Sequence, residues 1–145
     1  MKDCSRQLGS TLADIRPDHV KRYQFAASRI GRKTRVIDVA CGIGYGSKIL
    51  SDSGLKVTGV DIASAAIKMA EQYYPGPKYI CADVTKEKFS KFEGMVSFET
   101  LEHVSEPDKV LNCAAVTHLI ASVPNELHYK FRPEKFAGDE YPHLR

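Results

Sequence analysis

The stretch Val36-Ile37-Asp38-Val39-Ala40-Cys41-Gly42-Ile43-Gly44-Tyr45-Gly46 decides the fold of this chain. Its apolar first half predicts a buried strand, and the residues after the glycines predict a helix. A glycine-rich turn between a strand and a helix N-terminus is typical of nucleotide-binding sites. Glycine suits such a turn because it permits unusual backbone angles and lets a ligand lie against bare backbone.

Outward from this stretch, the chain alternates predicted strands and helices. This alternation predicts an α/β fold, a doubly wound, Rossmann-like and mostly parallel sheet with helices on both faces. We expect an N-terminal helical lead-in over 1–34, a ligand-binding core over 35–126 and an irregular C-terminal segment over 127–145. The predicted strands are 35–40, 56–61, 78–82, 94–98 and 118–123, and the predicted helices are 17–30, 45–53, 63–74 and 106–116.

Length and composition indicate one ordinary globular domain. The chain has 145 residues, of which 43% are hydrophobic and 27% charged, with a net charge of +3. Lysine and arginine are spread along the chain, which disfavours nucleic acid as a partner. Its four cysteines lie far apart without CxxC spacing, so we expect no zinc site and a reducing, cytoplasmic location. No apolar run is long enough to span a bilayer, so we expect no membrane partner.

The glycine spacing and one acid indicate which nucleotide binds. A dinucleotide turn requires GxGxxG, but Ser47 stands where its third glycine would be. Asp38 lies inside the strand, where a carboxylate would repel a pyrophosphate but could accept hydrogen bonds from an ammonium group. S-adenosylmethionine carries an ammonium and no phosphate. The pattern favours S-adenosylmethionine and disfavours the alternative, an NAD-dependent dehydrogenase.

Further acids follow the next predicted strands. Asp61 could accept both ribose hydroxyls, Asp83 could accept from the adenine amino group while Val84 covers the ring, and Glu99 follows the fourth strand. A single acid at a strand end is more often a helix cap than a ligand contact. Four such acids in chain order predict a ligand site along one edge of the sheet.

On these motifs, residues 35–126 resemble class I S-adenosylmethionine-dependent methyltransferases. Residues 38–46 resemble the family's glycine motif, with Ala40 where the family often has glycine. Residues 57–61 resemble the ribose-binding motif and 81–84 the adenine motif. Residues 97–104 resemble the motif after the fourth strand, and 122–125 the end of the fifth.

The resemblance implies methyl transfer from S-adenosylmethionine to a small-molecule acceptor. It also implies seven strands, of which we find five. We therefore expect either a fragment or a shortened natural form, or a homo-oligomer or completing chain at the open sheet edge. A cofactor-binding remnant or non-catalytic partner subunit is the alternative function. The implied cofactor-binding residues are Asp38, Ala40, Cys41, Gly42, Gly44, Tyr45, Gly46, Asp61, Ile62, Asp83, Val84 and Glu99.

Glu99, Glu102 and His103 form an ExxEH pattern with two interpretations. It is similar to a pattern in quinone-biosynthesis O-methyltransferases and small-RNA terminal methyltransferases, where it holds a divalent metal. The same letters occur in methyltransferases that need no metal, where the pair shapes the cofactor pocket. We favour this structural role over a metal site. His103 is the candidate general base.

Overall fold

The structure is a computed structural model and describes residues 9–125. Its centre is a sheet of five strands that all run parallel, in the order β3-β2-β1-β4-β5. This arrangement confirms the predicted α/β class. The strands are β1 Arg35–Val39, β2 Lys56–Asp61, β3 Lys78–Cys81, β4 Gly94–Phe98 and β5 His118–Ser122.

In the described part of the chain four α-helices accompany the strands, and three of them lie within a residue of the predicted bounds. The fourth ends at Leu111, whereas the sequence predicted a helix to residue 116. It stops early because the Asn112 side chain donates to the Asp108 carbonyl (2.8 Å) and the chain after it forms a parallel bridge with Phe89. The helices are α1 Pro17–Arg29, α2 Tyr45–Asp52, α3 Ser64–Tyr73 and α4 Pro107–Leu111, with 3-10 turns at Leu12–Asp14 and Leu101–His103.

The β1 strand lies in the middle of the sheet, so its side chains are buried on both faces. Val36, Ile37 and Val39 are each at most 1% exposed. Such burial explains the continuous apolar run, which is typical of parallel strands covered by helices. On one face Val36 packs in a cluster with residues of α1 and α2, and on the other Ile37 and Val39 pack with residues of β4 and α4.

The strand order reverses between β1 and β4, which defines a topological switch point. Ligands of open parallel sheets bind at the carboxyl ends of strands near such a point. The glycine turn leaves β1 at this edge, so the fold places it where a ligand site is expected.

The outer strands of the described sheet are β3 and β5, and Leu119 of β5 is 48% exposed. Within residues 9–125, no helix has the length and apolar character needed to cross a membrane. The predicted irregular segment 127–145 lies outside the described residues.

Candidate functional site

Gly42 is the glycine of the turn that opens toward empty space. Its φ of +55° lies in the left-handed region, and a Cβ added there would meet no atom within 4 Å. Gly44 also has a positive φ, of +88°, but a Cβ there would lie 2.6 Å from the Ala70 Cβ and 2.7 Å from the Tyr79 hydroxyl. A ligand can therefore approach the backbone at Gly42, whereas Gly44 is required for packing.

Gly46 serves packing as well. It lies in the first turn of α2, and a Cβ there would come within 2.0 Å of the Tyr23 ring. Packing alone therefore requires glycine at position 46, because a ring from α1 takes the place of its side chain, and the cofactor contact of Gly46 stays a prediction. Ala40 has a φ of +57°, so the turn carries left-handed strain at an alanine.

Asp61, at the end of β2, fixes the turn. Its Oδ2 accepts the Gly42 backbone N–H at 2.8 Å, and its Oδ1 accepts the Ala63 N–H at 2.9 Å. Each carboxylate oxygen can accept a second hydrogen bond. The ribose contact stays a prediction, and the neighbouring Ile62, 58% exposed, offers an apolar surface at the same strand end.

Asp38 lies beneath the turn and is fully buried. The Tyr23 hydroxyl donates to its Oδ1 at 3.2 Å, and the Ser47 hydroxyl donates to its Oδ2 at 2.6 Å. Burial raises the pKa of Asp38 to about 7, against the lowering effect of the two hydroxyls. Contact with a ligand ammonium stays a prediction, while in this structure the carboxylate joins β1 to α1 and α2.

Asp83 caps the turn after β3. Its Oδ1 accepts the backbone N–H and the hydroxyl of Thr85, at 2.9 and 2.7 Å, and Lys86 Nζ lies 3.0 Å from Oδ2. The Thr85 hydrogen bonds, followed by Lys86, lower the pKa of Asp83. Val84 is partly buried against the β1–β4–α4 cluster. The adenine contacts of Asp83 and Val84 stay predictions.

Glu99 follows β4 and turns toward α1 and β5. Its φ is +52°, and its Oε1 accepts the Ser122 hydroxyl at 2.7 Å and lies 3.3 Å from Arg22 Nη1. Across residues 9–125, no three His, Cys, Asp or Glu side chains form a group that could hold a metal ion. The metal alternative for Glu99, Glu102 and His103 stays a prediction, as does a cofactor contact of Glu99, whose carboxylate is engaged by Arg22 and Ser122 in this structure.

Glu102 is the more buried of the two carboxylates of the ExxEH pattern. Its side chain is 10% exposed, and within the described part of the chain neither oxygen has a hydrogen-bond partner. Burial raises the pKa of Glu102 to about 7. His103 Nε2 lies 4.0 Å from its Oε1. The role of His103 as a base stays a prediction, and its neighbour Glu102 was named from the sequence only as a candidate metal ligand or pocket-shaping residue.

Tyr45 and Cys41 complete the turn. The Tyr45 hydroxyl lies 3.1 Å from His19 Nδ1, and its ring meets the Tyr23 ring edge-on with centroids 5.6 Å apart. Cys41 is 3% exposed, with Sγ 3.7 Å from the Gly42 carbonyl. Their contacts with a cofactor stay predictions.

The sequence missed the role of α1. Tyr23 lies in the predicted helix 17–30, for which the sequence indicated no part in the site. The available signal was a pair of needs: a buried tyrosine hydroxyl requires a partner, and so does a carboxylate inside a buried strand. Tyr23 and Asp38 meet both needs.

Comparison with known proteins identifies the family of this chain. A family model described as a methyltransferase domain matches residues 37–116, more than half of the chain. The chain therefore belongs to the methyltransferase domain family, in the class that uses S-adenosylmethionine.

Relatives and solved structures extend the comparison. The ubiquinone biosynthesis O-methyltransferase of Coxiella burnetii is 38% identical over 104 residues, which cover 66% of this chain and 44% of that protein. The chain thus spans less than half of that relative.

Among solved structures, the methyltransferase domain of bacterial CtHen1-C superposes with a TM-score of 0.65 at 18% identity, covering 88% of this chain and 77% of that chain. The magnesium protoporphyrin IX methyltransferase of Synechocystis PCC 6803, solved with bound S-adenosylhomocysteine, has a TM-score of 0.59 at 21% identity. That match covers 74% of this chain and 55% of the other. At these identities the two structures support the fold.

Proposed function

We propose that this chain binds S-adenosylmethionine at the carboxyl edge of its sheet and transfers the methyl group to a small-molecule acceptor. The observation that carries the proposal is the arrangement at Gly42. A Cβ at this position would meet no atom within 4 Å, and its backbone N–H donates to the Asp61 carboxylate at 2.8 Å. Membership of the methyltransferase domain family supports it.

Three strand ends would hold the cofactor. Backbone at Gly42 lets the ligand approach closely, Asp61 accepts the ribose hydroxyls, and Asp83 and Val84 receive the adenine. The exposed Ile62 covers one side of the nucleoside. Tyr45, in the first turn of α2, presents an aromatic ring that can face a sulfonium cation.

S-adenosylmethionine supplies the activated methyl group, so the protein's task is to orient an acceptor and remove its proton. We assign proton removal to His103, with Glu102 4.0 Å away to stabilise the imidazolium that forms. Glu102 needs no second role as a metal ligand in this scheme. EDTA is expected to leave turnover unchanged, and His103→Ala to slow it.

The name of the Coxiella burnetii relative supports an oxygen atom on a small molecule as the acceptor. Turnover tests this assignment: S-adenosylhomocysteine release is measured with a panel of phenolic, amine and carbon acceptors. Release with phenols supports O-methylation. Intact cofactor binding without product from any acceptor would instead favour the cofactor-binding remnant or non-catalytic subunit.

Association and location are also part of the proposal. Within the described residues β5 is an outer strand of the sheet, which supports a homo-oligomer or a completing chain because an outer strand presents unpaired backbone groups. A monomeric mass in sedimentation at all concentrations would exclude the oligomer. A cytoplasmic location is supported by three free cysteines among the described residues, Cys41, Cys81 and Cys113.

A further inference from the structure

We infer that α1 is a working part of the cofactor site, and that Tyr23 is a positioning residue which acts on the cofactor turn through Asp38. The inference rests on the proposed binding of S-adenosylmethionine. The family model matches from residue 37, so α1 at Pro17–Arg29 lies outside the matched region. The contacts of this helix nevertheless lead directly to the glycine turn.

The Tyr23 side chain reaches the turn in two ways. Its ring lies against Gly46, where a Cβ would be 2.0–2.3 Å from three ring atoms. Its hydroxyl donates to Asp38 Oδ1 at 3.2 Å, and both residues are buried, Tyr23 at 6% exposure and Asp38 at 0%. Tyr23 therefore fixes the start of α2 through the ring and the end of β1 through the hydroxyl.

Neighbouring positions of the same helix contact the same edge of the sheet. His19, one turn before Tyr23, holds the Tyr45 hydroxyl at 3.1 Å. Arg22 lies 3.3 Å from Glu99. These residues are spaced three and four apart, so one side of α1 contacts the glycine turn and the end of β4 together. A change in the position of α1 would move both.

The Tyr23 hydroxyl also affects the ionisation of Asp38, which lies beneath the turn. A hydrogen bond donated to a carboxylate favours its ionised form, so Tyr23 and Ser47 together oppose the effect of burial on Asp38. Within residues 9–125, no cation is among the groups that shift the pKa of this carboxylate, and Asp61 adds a like charge. Removing the Tyr23 hydroxyl leaves Ser47 as the one hydroxyl donor to Asp38 among the described residues. The titratable groups coupled to Asp38 are Tyr23 of α1, Cys41 of the turn, Tyr45 of α2, Asp61 of β2 and Tyr79 of β3.

The test is calorimetric titration of the full chain with S-adenosylhomocysteine between pH 5.5 and 9, for the wild type and Tyr23→Phe. We expect Tyr23→Phe to lose about five- to tenfold in affinity at pH 7.5, the usual net size of one intramolecular hydrogen bond. As the pH is lowered, we also expect the affinity of Tyr23→Phe to begin to fall at a higher pH than that of the wild type. The reason is that Asp38 ionises less readily without the Tyr23 hydroxyl.

Tyr74→Phe is the matched control. Tyr74 is 3% exposed and its hydroxyl donates to the Gly9 carbonyl at 2.7 Å, so this variant also loses one buried hydroxyl bond without touching Asp38. It should keep the pH profile of the wild type. Ser47→Ala removes the second donor to Asp38 and should shift the profile in the same direction as Tyr23→Phe.

The outcomes separate the inference from the proposed function. A wild type that binds no S-adenosylhomocysteine at any pH would contradict the proposed function, and the inference with it. A wild type that binds, together with a Tyr23→Phe variant of unchanged affinity and pH profile, would overturn the inference alone. An equal shift in Tyr74→Phe would also overturn it, since the effect would then be general loosening. If Tyr23→Phe fails to fold by circular dichroism, an unshifted profile in Ser47→Ala overturns the inference.

Discussion

The backbone N–H of Gly42 donates to Asp61 Oδ2 over 2.8 Å, so the carboxylate that ends β2 fixes the turn that follows β1. The two strands are neighbours in the sheet, with Val39 in register with Val60. One buried acid thus couples the conformation of the glycine turn to the strand end where a ribose is expected.

Replacing Asp61 by alanine should weaken S-adenosylhomocysteine binding by about 1.5–3 kcal/mol, because a charged hydrogen-bond acceptor for the ribose is lost and the Gly42 N–H loses its partner. Calorimetric titration measures the change. Asp52→Ala, which removes a 58%-exposed carboxylate at the far end of α2, is the control and should bind like the wild type. Unchanged affinity in Asp61→Ala would mean that the ribose is held elsewhere.

Gly46→Ala should mainly lower the stability of the fold, whereas Gly42→Ala should mainly lower the affinity for the cofactor. In Gly46→Ala the added methyl group would collide with the Tyr23 ring. Urea denaturation of this variant should therefore show a loss of about 1–3 kcal/mol in the free energy of unfolding.

In Gly42→Ala the added methyl group would point into open space. The free energy of unfolding should therefore fall by only about 1–2 kcal/mol, from left-handed strain, while the affinity for the cofactor also falls. A Gly42→Ala variant with full affinity would show that the ligand does not approach there.

Ala40→Gly should stabilise the protein. Glycine relieves the left-handed φ of +57°, and the greater freedom of the unfolded chain offsets only part of that gain, which leaves about 0.5–1 kcal/mol. Thermal unfolding should show a rise of a few degrees. Ala66→Gly, inside α3, is the contrasting variant and should lower stability by about 1 kcal/mol. A fall in melting temperature for Ala40→Gly would show that strain at this position is negligible.

Asp38 should make stability depend on pH in a defined direction. Its pKa is raised to about 7 in the folded state, against about 3.9 in an unfolded chain, so between these values the folded state binds more protons. Its contribution to stability is therefore full below about pH 4 and is lost as the pH rises to about 7.

Asp38→Asn cannot ionise, so its stability relative to the wild type should improve by about 1 kcal/mol or more between pH 5 and pH 8. Urea denaturation at both pH values measures this, with Asp52→Asn as the control. An equal difference at both pH values would argue that Asp38 keeps an ordinary pKa.

Much of this fold could be predicted from sequence because parallel strands and their helices leave strong local signals. The bounds of β2 and β4 were predicted correctly, since each apolar run ends where the strand leaves the core. The fourth helix was overextended because its end depends on a bridge between Phe89 and Ala114, 25 positions apart. Propensity at residues 112–116 carries no trace of that contact.

The candidate site was predictable as a set of strand ends but not as a set of contacts. The sequence placed Asp38 in a strand, yet the two hydroxyls that hold it come from α1 and α2. Likewise Glu99 was grouped with Glu102 and His103 by spacing, whereas Arg22 and Ser122 engage it in space. Such choices depend on tertiary packing, which local periodicity does not record.

The most direct test of the account is calorimetric titration of the wild-type chain with S-adenosylhomocysteine and, separately, with NAD. We predict micromolar binding of S-adenosylhomocysteine and none of NAD, because the turn carries a buried carboxylate at Asp38 and Ser47 where a dinucleotide turn has glycine. Micromolar binding of NAD without binding of S-adenosylhomocysteine would contradict the account.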